Sequence, residues 1–285
     1  MLFVCPKCKG QLNITPTCAS CASGHSYDKS KKGYYNLLLS RGGGVHGDNK
    51  MMVDARRDFL AKGYYAPLAE RVADLVLENS PTAASVLDVG CGEGYYTDYF
   101  ERALNYRDGE SNVFGFDISK DAVIRAARKN RALSLAVASA YDMPIADVSV
   151  DVAVNMFSPL AREELLRALK PGGVFIMAIP GREHLFGLKS ALYDTPYKNE
   201  VQDSALEGFE LLKTENISYN ITLDNTEDIL NLFRMTPYAY RTSSIGRERI
   251  ESLKSLETPI EFITFVYKKA QIITKTPLKN KLTEK

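Results

Sequence analysis

The sequence contains no run of about 18 apolar residues, so nothing in it is long enough to cross a bilayer as a helix. The first residues, Met1-Leu2-Phe3-Val4-Cys5-Pro6-Lys7, lack the charged stretch and long apolar segment of a secretory signal. A cytoplasmic chain with no membrane partner is expected. Cysteine is scarce, at five residues in 285, which excludes a disulfide framework as the main source of stability. Internal repeats are lacking too, so a solenoid or propeller is not indicated. With 45% hydrophobic and 25% charged residues, the chain can offset its folding entropy and is not dominated by disorder. Its length suits one large domain with an appendage, or two modest domains.

Net charge is nearly absent, at +1, but it is unevenly spread. Residues 1–60 carry nine Lys or Arg against four acids, and Tyr267 to Lys285 carries six Lys against one Glu. The middle is therefore acidic, and the two basic ends suggest a polyanionic partner; solvated ends are the plain alternative.

Four of the five cysteines fall within the first 21 residues, in a segment rich in Lys and Gly. Cys5-Pro6-Lys7-Cys8 is a CxxC turn, which brings two thiolates to one ion, and tetrahedral zinc needs two further N or S ligands. Cys18 with Cys21 completes a four-cysteine ribbon; Cys21 with His25 completes a Cys3His site. Spacing alone leaves both open. A redox role is disfavoured because neither pair opens a helix within a βαβ pattern. Ser40-Arg41-Gly42-Gly43-Gly44-Val45-His46-Gly47-Asp48 then reads as a mobile linker or loop.

Met51–Leu60 and Tyr65–Leu77 have helical spacing, and from Ser85 strands and helices alternate. Strands are expected at Ser85–Val89, Val113–Phe116, Leu133–Ala138, Val150–Met156 and Val174–Ile179. Helices are expected at Tyr95–Leu104, Lys120–Asn130 (with Ser119 as its N-cap) and Arg162–Leu169. Ile260–Tyr267 alternates at period two and reads as a late strand. Such an order predicts an α/β fold, a doubly wound, Rossmann-like and mostly parallel sheet covered by helices on both faces, with a small N-terminal zinc-binding domain. The expected divisions are 1–36 for the zinc module, 37–80 for a linker and helices, 81–267 for the sheet domain and 268–285 for a basic tail.

The turn Asp88-Val89-Gly90-Cys91-Gly92-Glu93-Gly94 follows the first strand of this series and opens a helix. Glycines there let a backbone approach a ligand at the carboxyl edge of the sheet. Tyr95 stands where a nicotinamide fingerprint needs its third glycine. Asp117 ends the next strand, where an acid can accept both hydroxyls of a ribose. Tyr141-Asp142-Met143-Pro144 follows the third strand, near where an adenine would lie, and Leu169-Lys170-Pro171-Gly172-Gly173 precedes the fifth. This ordered set resembles the S-adenosylmethionine (SAM) methyltransferases from about Ala84 to Pro180, so the cofactor-binding candidates include Asp88, Gly90, Gly92, Glu93, Gly94 and Asp117.

Four further blocks narrow the resemblance. They are Gly33-Tyr34-Tyr35-Asn36-Leu37-Leu38, Ala55-Arg56-Arg57-x-Phe59-Leu60 with Gly63-Tyr64-Tyr65, Pro180-Gly181-Arg182-Glu183-His184-Leu185, and Met235-Thr236-Pro237-Tyr238-Ala239-Tyr240-Arg241. With the Cys-Pro-x-Cys module, they make nearly the whole chain similar to the 23S rRNA guanine-N1 methyltransferases. The resemblance implies Cys5, Cys8, Cys21 and His25 as zinc ligands, with Cys18 an extra thiol, and Tyr65, Gly92, Glu93 and His184 as SAM contacts. It also implies a guanine in a domain II hairpin of 23S rRNA near the macrolide-binding exit tunnel, hence a link to macrolide resistance. A homodimer whose zinc modules flank the RNA is implied as well. No residue stands out as general base; Glu93 and Asp142 are the nearest candidates, and Phe157 is a candidate to stack on an unstacked guanine. A small-molecule SAM methyltransferase and a non-catalytic RNA-binding protein with a SAM site are the competing functions.

Overall fold

A computed structural model describes residues 2–39, 47–201 and 203–270; most of the glycine-rich linker and of the basic tail lies outside these residues. The chain opens with a three-stranded antiparallel ribbon of β1 (Leu12–Ile14), β2 (Cys18–Cys21) and β3 (Ser26–Asp28). The short strand β4 (Tyr34–Asn36) leaves this ribbon for the main sheet. Helices α1 (Lys50–Ala61) and α2 (Ala66–Asn79) follow, and then the alternating series begins. It comprises β5 (Ser85–Val89), α3 (Tyr95–Arg107), β6 (Asn112–Asp117), α4 (Lys120–Lys129), β7 (Ser134–Val137), β8 (Val150–Met156), α5 (Arg162–Ala168) and β9 (Leu169–Pro180). The chain continues through α6 (Phe186–Leu192), β10 (Phe209–Leu223), α7 (Thr226–Arg234), a 3-10 turn at Pro237–Tyr240, α8 (Ser244–Ser252) and β11 (Leu256–Lys269).

The eight-stranded sheet has the order β10-β11-β9-β8-β5-β6-β7-β4. Strands β4 to β9 run parallel, and β11 and β10 add antiparallel to β9. Central strands are apolar on both faces, as Val86, Leu87 and Val89 illustrate, because both faces are covered. One face packs against Leu68, Val72, Phe100 and Val123 of α2, α3 and α4. The other carries Leu165 of α5, and there the expected helical cover is replaced in part by the ribbon. Phe3, Leu12, Ala19 and Cys21 join Leu87, Phe114 and Phe175 in that second core, so a unit too small for its own core borrows one.

The expected elements from α1 to β8 are present within a few residues, and Ser119 caps α4 by accepting from Ala122 N–H. Three differences matter. The boundary expected at residue 36 falls at the end of β4, which is bonded into the main sheet, with Tyr34 opposite Leu135. Strand β9 begins at Leu169, absorbing the Pro-Gly-Gly turn. Strands β1 to β4 and β10, helices α6, α7 and α8 and the 3-10 turn were not foreseen. Among the described residues, no helix is long and apolar enough to cross a membrane.

Candidate active site and metal centre

The loop before β1 supplies Cys5 and Cys8, the end of β2 supplies Cys21, and the turn into β3 supplies His25. Their ligand atoms all lie within 4.8 Å of one another. His25 Nδ1 is 3.4 Å from Cys21 Sγ and 3.5 Å from Cys5 Sγ, while Cys8 and Cys21 are 3.5 Å apart. Such edges suit a tetrahedron around one ion with metal–sulfur bonds of about 2.3 Å. A hydrogen bond from the Gly10 backbone, followed by one from His25, pulls the Cys8 thiol down to about 6, towards the thiolate a metal requires. Cys18 is excluded from the cluster by strand parity. It lies three residues before Cys21 on β2, so it faces the opposite side, where its sulfur is 3.4 Å from Thr15 Oγ1. The geometry thus favours Cys3His over the four-cysteine arrangement, and the donor set fits zinc.

The second site lies at the carboxyl ends of β5, β6 and β8. Gly90, Gly92 and Gly94 all have positive φ, at 80°, 56° and 78°. They are not equivalent. A Cβ on Gly90 would lie 2.4 Å from Ser158 Cβ, and one on Gly94 would lie 2.9 Å from Ala126 Cβ, so these two glycines permit packing within the protein. A Cβ on Gly92 would meet nothing nearer than Arg56 Nη1 at 3.9 Å, so this glycine lines open space. Its N–H donates to Asp117 Oδ2 at 3.1 Å, and Ser119 N–H donates to Oδ1 at 2.7 Å. Asp117 is thereby fixed as an acceptor at the tip of β6, with burial pushing its carboxyl up against those two bonds.

Asp88 is the next-to-last residue of β5, just before the turn, and is 1% exposed. Thr97 Oγ1 donates to its Oδ2 at 2.6 Å, but its Oδ1 is buried without a partner among the described residues. Burial pushes this carboxyl up to about 7. A buried orphan acceptor under a glycine cradle fits a ligand that brings a donor, as the ammonium of SAM would. Glu93 is also buried with an orphan Oε2, and burial raises its carboxyl against the pull of Arg56, whose Nη1 is 4.0 Å away.

Across the cleft, Tyr65 packs on Phe262 of β11 with ring centroids 4.9 Å apart, and its hydroxyl lies 3.3 Å from His184 Nε2. The Glu261 backbone N–H donates to His184 Nδ1 at 3.3 Å, which assigns the imidazole hydrogen to Nε2. Burial, followed by the nearby Lys189 charge, holds the imidazole down to about 3, so it is neutral. Its Nε2–H therefore donates to Tyr65, whose own proton is free for another acceptor. Phe157 follows β8 with φ of 60° and is 42% exposed, although its ring lies 5.3 Å from that of Phe262. The bend holding it is locked: Ser158 Oγ donates to Val89 O at 2.6 Å, and Ser158 N–H donates to Asn155 Oδ1 at 3.2 Å. A strained, half-exposed ring in a rigid bend has the geometry of a platform.

Asp88, the glycine turn, Glu93 and Asp117 therefore come together, with Tyr65, His184 and Phe157 towards β9 and β11. Asp142 does not join Phe157. It lies in the turn after β7 and pairs with Lys9 of the metal loop at 2.5 Å, while the next residue, Met143, donates its N–H to Glu164 of α5. Two residues went unforeseen here: Arg56 of α1 reaches over Gly92, and Asp48 pairs with it at 2.5 Å. The Ala55-Arg56-Arg57 block was a signal for the first; nothing local announced the second.

Comparison with known proteins agrees with this geometry. A family model described as a methyltransferase domain matches residues 86–173, and a zinc-ribbon model described as RlmA, N-terminal, matches residues 3–39. The 23S rRNA (guanine(748)-N(1))-methyltransferase of Streptomyces fradiae is 36% identical over 192 residues, covering 66% of each chain. A Micromonospora griseorubida protein bearing the name 23S rRNA (guanine-N(1)-)-methyltransferase is 31% identical, over 84% of this chain and 86% of its own. A Bacillus subtilis strain 168 protein with the same family name is 28% identical, over 90% of this chain and 92% of its own. A SAM-type cleft and a Cys3His ribbon in one chain, with such relatives along most of its length, place this protein in the 23S rRNA (guanine-N1)-methyltransferase family.

Proposed function

We propose that this chain transfers a methyl group from SAM to N1 of a guanine in a domain II hairpin of 23S rRNA, near the macrolide-binding exit tunnel. The observation that carries the reading is the arrangement of the cleft. An acceptor for a ribose (Asp117), a partnerless buried carboxyl for an ammonium (Asp88) and a free phenol proton (Tyr65) lie on the elements around the glycine turn, where Gly92 faces open space, and the half-exposed Phe157 follows β8. The bound cofactor would supply an electrophilic methyl group. The chain's own residues hold and orient: Asp117 the ribose, Asp88 the amino group, Tyr65 backed by His184 the carboxylate. Phe157 would stack on the guanine once it is drawn from the hairpin, and positioning would supply most of the rate gain. No general base is assigned. Glu93 is buried beside Arg56, and Asp142 is paired with Lys9.

In this reading Cys5, Cys8, Cys21 and His25 hold a structural zinc, and residues 1–36 form an RNA-recognition module. Residues 37–80 connect it to the methyltransferase domain at 81–267, and 268–285 are a basic tail. The exposed Lys29 and Lys31 suit phosphate contacts. A homodimer in the cytoplasm completes the proposal. The test is to incubate labelled SAM with 23S rRNA and map the product by primer extension. A stop at one guanine of the hairpin is expected; methylation of small metabolites alone, or tight RNA binding without transfer, would overturn the assignment.

A further inference from the structure

Lys189 is a fully buried lysine without a carboxylate partner among the described residues. That arrangement is costly and rare, because a buried charge normally requires an opposite one. Its ammonium, carried by α6, donates to Asn199 Oδ1 at 2.5 Å and to Tyr197 O at 3.1 Å. The rings of Tyr197 and Tyr238 lie 4.6 Å and 5.6 Å from the nitrogen. Burial pushes the ammonium below the usual lysine range, against the pull of Glu183. Asn199 is the other half of the device. Its Nδ2 donates to Gly181 O at 2.8 Å and to His184 O at 3.4 Å, and its N–H donates to Arg182 O at 3.0 Å. The Asn199 side-chain amide ties two carbonyls of the loop that carries His184 and its backbone N–H a third, while Lys189 fixes which way the side-chain amide faces.

We propose that Lys189 and Asn199 are positioning residues for the amino-acid end of the cofactor. The ammonium fixes the Asn199 side chain, the amide fixes the Gly181–His184 loop, and the imidazole then presents Nε2–H to Tyr65. The Tyr65 hydroxyl keeps its own proton for the cofactor's carboxylate. A buried cation on this side also complements that carboxylate electrostatically. The proposal rests on reading the cleft as a SAM site, with the ribose on Asp117 and the amino acid directed towards β9 and β11.

Calorimetry on the full chain, comparing the parent with Lys189→Met and Asn199→Ala, tests it with two ligands. S-Adenosylhomocysteine carries the amino acid; 5′-methylthioadenosine shares the adenosine and sulfur but lacks it. Both variants should weaken S-adenosylhomocysteine by about tenfold or more, the worth of a charged hydrogen bond, and leave 5′-methylthioadenosine nearly unchanged. A merely structural role would not separate the two ligands. Parental affinity for both, or equal loss of both in a variant whose melting temperature is retained, would overturn the proposal. Should either variant fail to fold, Asn199→Asp decides, since it keeps an acceptor for the buried ammonium while losing the donors to Gly181 O and His184 O. If the parent binds neither ligand, it is the cofactor reading of the cleft that falls, and the proposal with it.

Discussion

Replacing Asp88 by Asn should make the cofactor-free protein more stable at pH 8 while weakening its hold on the cofactor. Asp88 is 1% exposed, and burial pushes its carboxyl from 3.8 up to about 7. The folded state therefore keeps a proton that the unfolded chain has already lost. Stability from this group is fullest below pH 3.8, declines as pH rises, and is gone above the folded value. At about 1.4 kcal/mol per unit, the gap costs the ligand-free fold on the order of 4 kcal/mol at pH 8. Asn carries no such term. Urea unfolding of parent and variant at pH 5 and pH 8, without cofactor, should show the variant gaining relative stability at the higher pH. Other titrating groups are common to both and cancel in the difference. A parent–variant difference independent of pH would refute the reasoning. Calorimetry near pH 6 gives a companion result: pairing a cofactor ammonium with ionised Asp88 should release a proton in the parent and none in the variant.

Gly90→Ala should destabilise the fold by about 3 kcal/mol or more, since the new methyl group meets Ser158 Cβ at 2.4 Å at a φ of 80°. Ser158→Gly in the same chain should recover the steric part, read by thermal melting; no recovery would mean that the clash is not the cause. Metal analysis should find one zinc per chain, lost in Cys21→Ser and His25→Ala but retained in Cys18→Ser; the opposite pattern would restore the four-cysteine reading. Replacing Lys29, Lys31 and Lys32 by Ala should weaken RNA binding and reduce its salt slope by up to about three contacts. An unchanged slope would remove this face from the RNA path.

What was legible in the sequence was local. Ser119 stands one residue before its helix, the CxxC turn is four residues long, and the glycine turn is contiguous, so each carries its signal within a few positions. The choice between Cys18 and His25 needed the parity of β2, which no spacing rule contains. Arg56 and Asp48 act on Glu93 and Gly92 from some 40 residues away, and Asp48 has no pattern of its own. Strand β10 did carry a signal in its second half, where Ile217, Tyr219, Ile221 and Leu223 alternate at period two, but its mostly exposed first half carries none. The zinc of the N-terminal segment was legible in its cysteines, but the ribbon's use as cover for the sheet follows only from Phe3 and Leu12 sharing a core with Phe114 and Phe175.

The parallel pairing of β4 with β7 has a consequence for the order of assembly. As the chain is synthesised, Tyr34–Asn36 is made about a hundred residues before Ser134–Val137, the strand it must join. Leu2 and Val4 wait longer still, for the backbone of Pro144 and Ala146. Throughout that interval the ribbon has no sheet to lie on, and a metal is the one cross-link it can make by itself. Bound there, zinc would act as a temporary scaffold before it becomes a permanent one. Pulse-labelled hydrogen exchange during refolding should find the β4 amides protected together with those of β7, whereas protection of the ribbon around Cys21 should come first when zinc is supplied. Simultaneous protection with and without the metal would rule that order out.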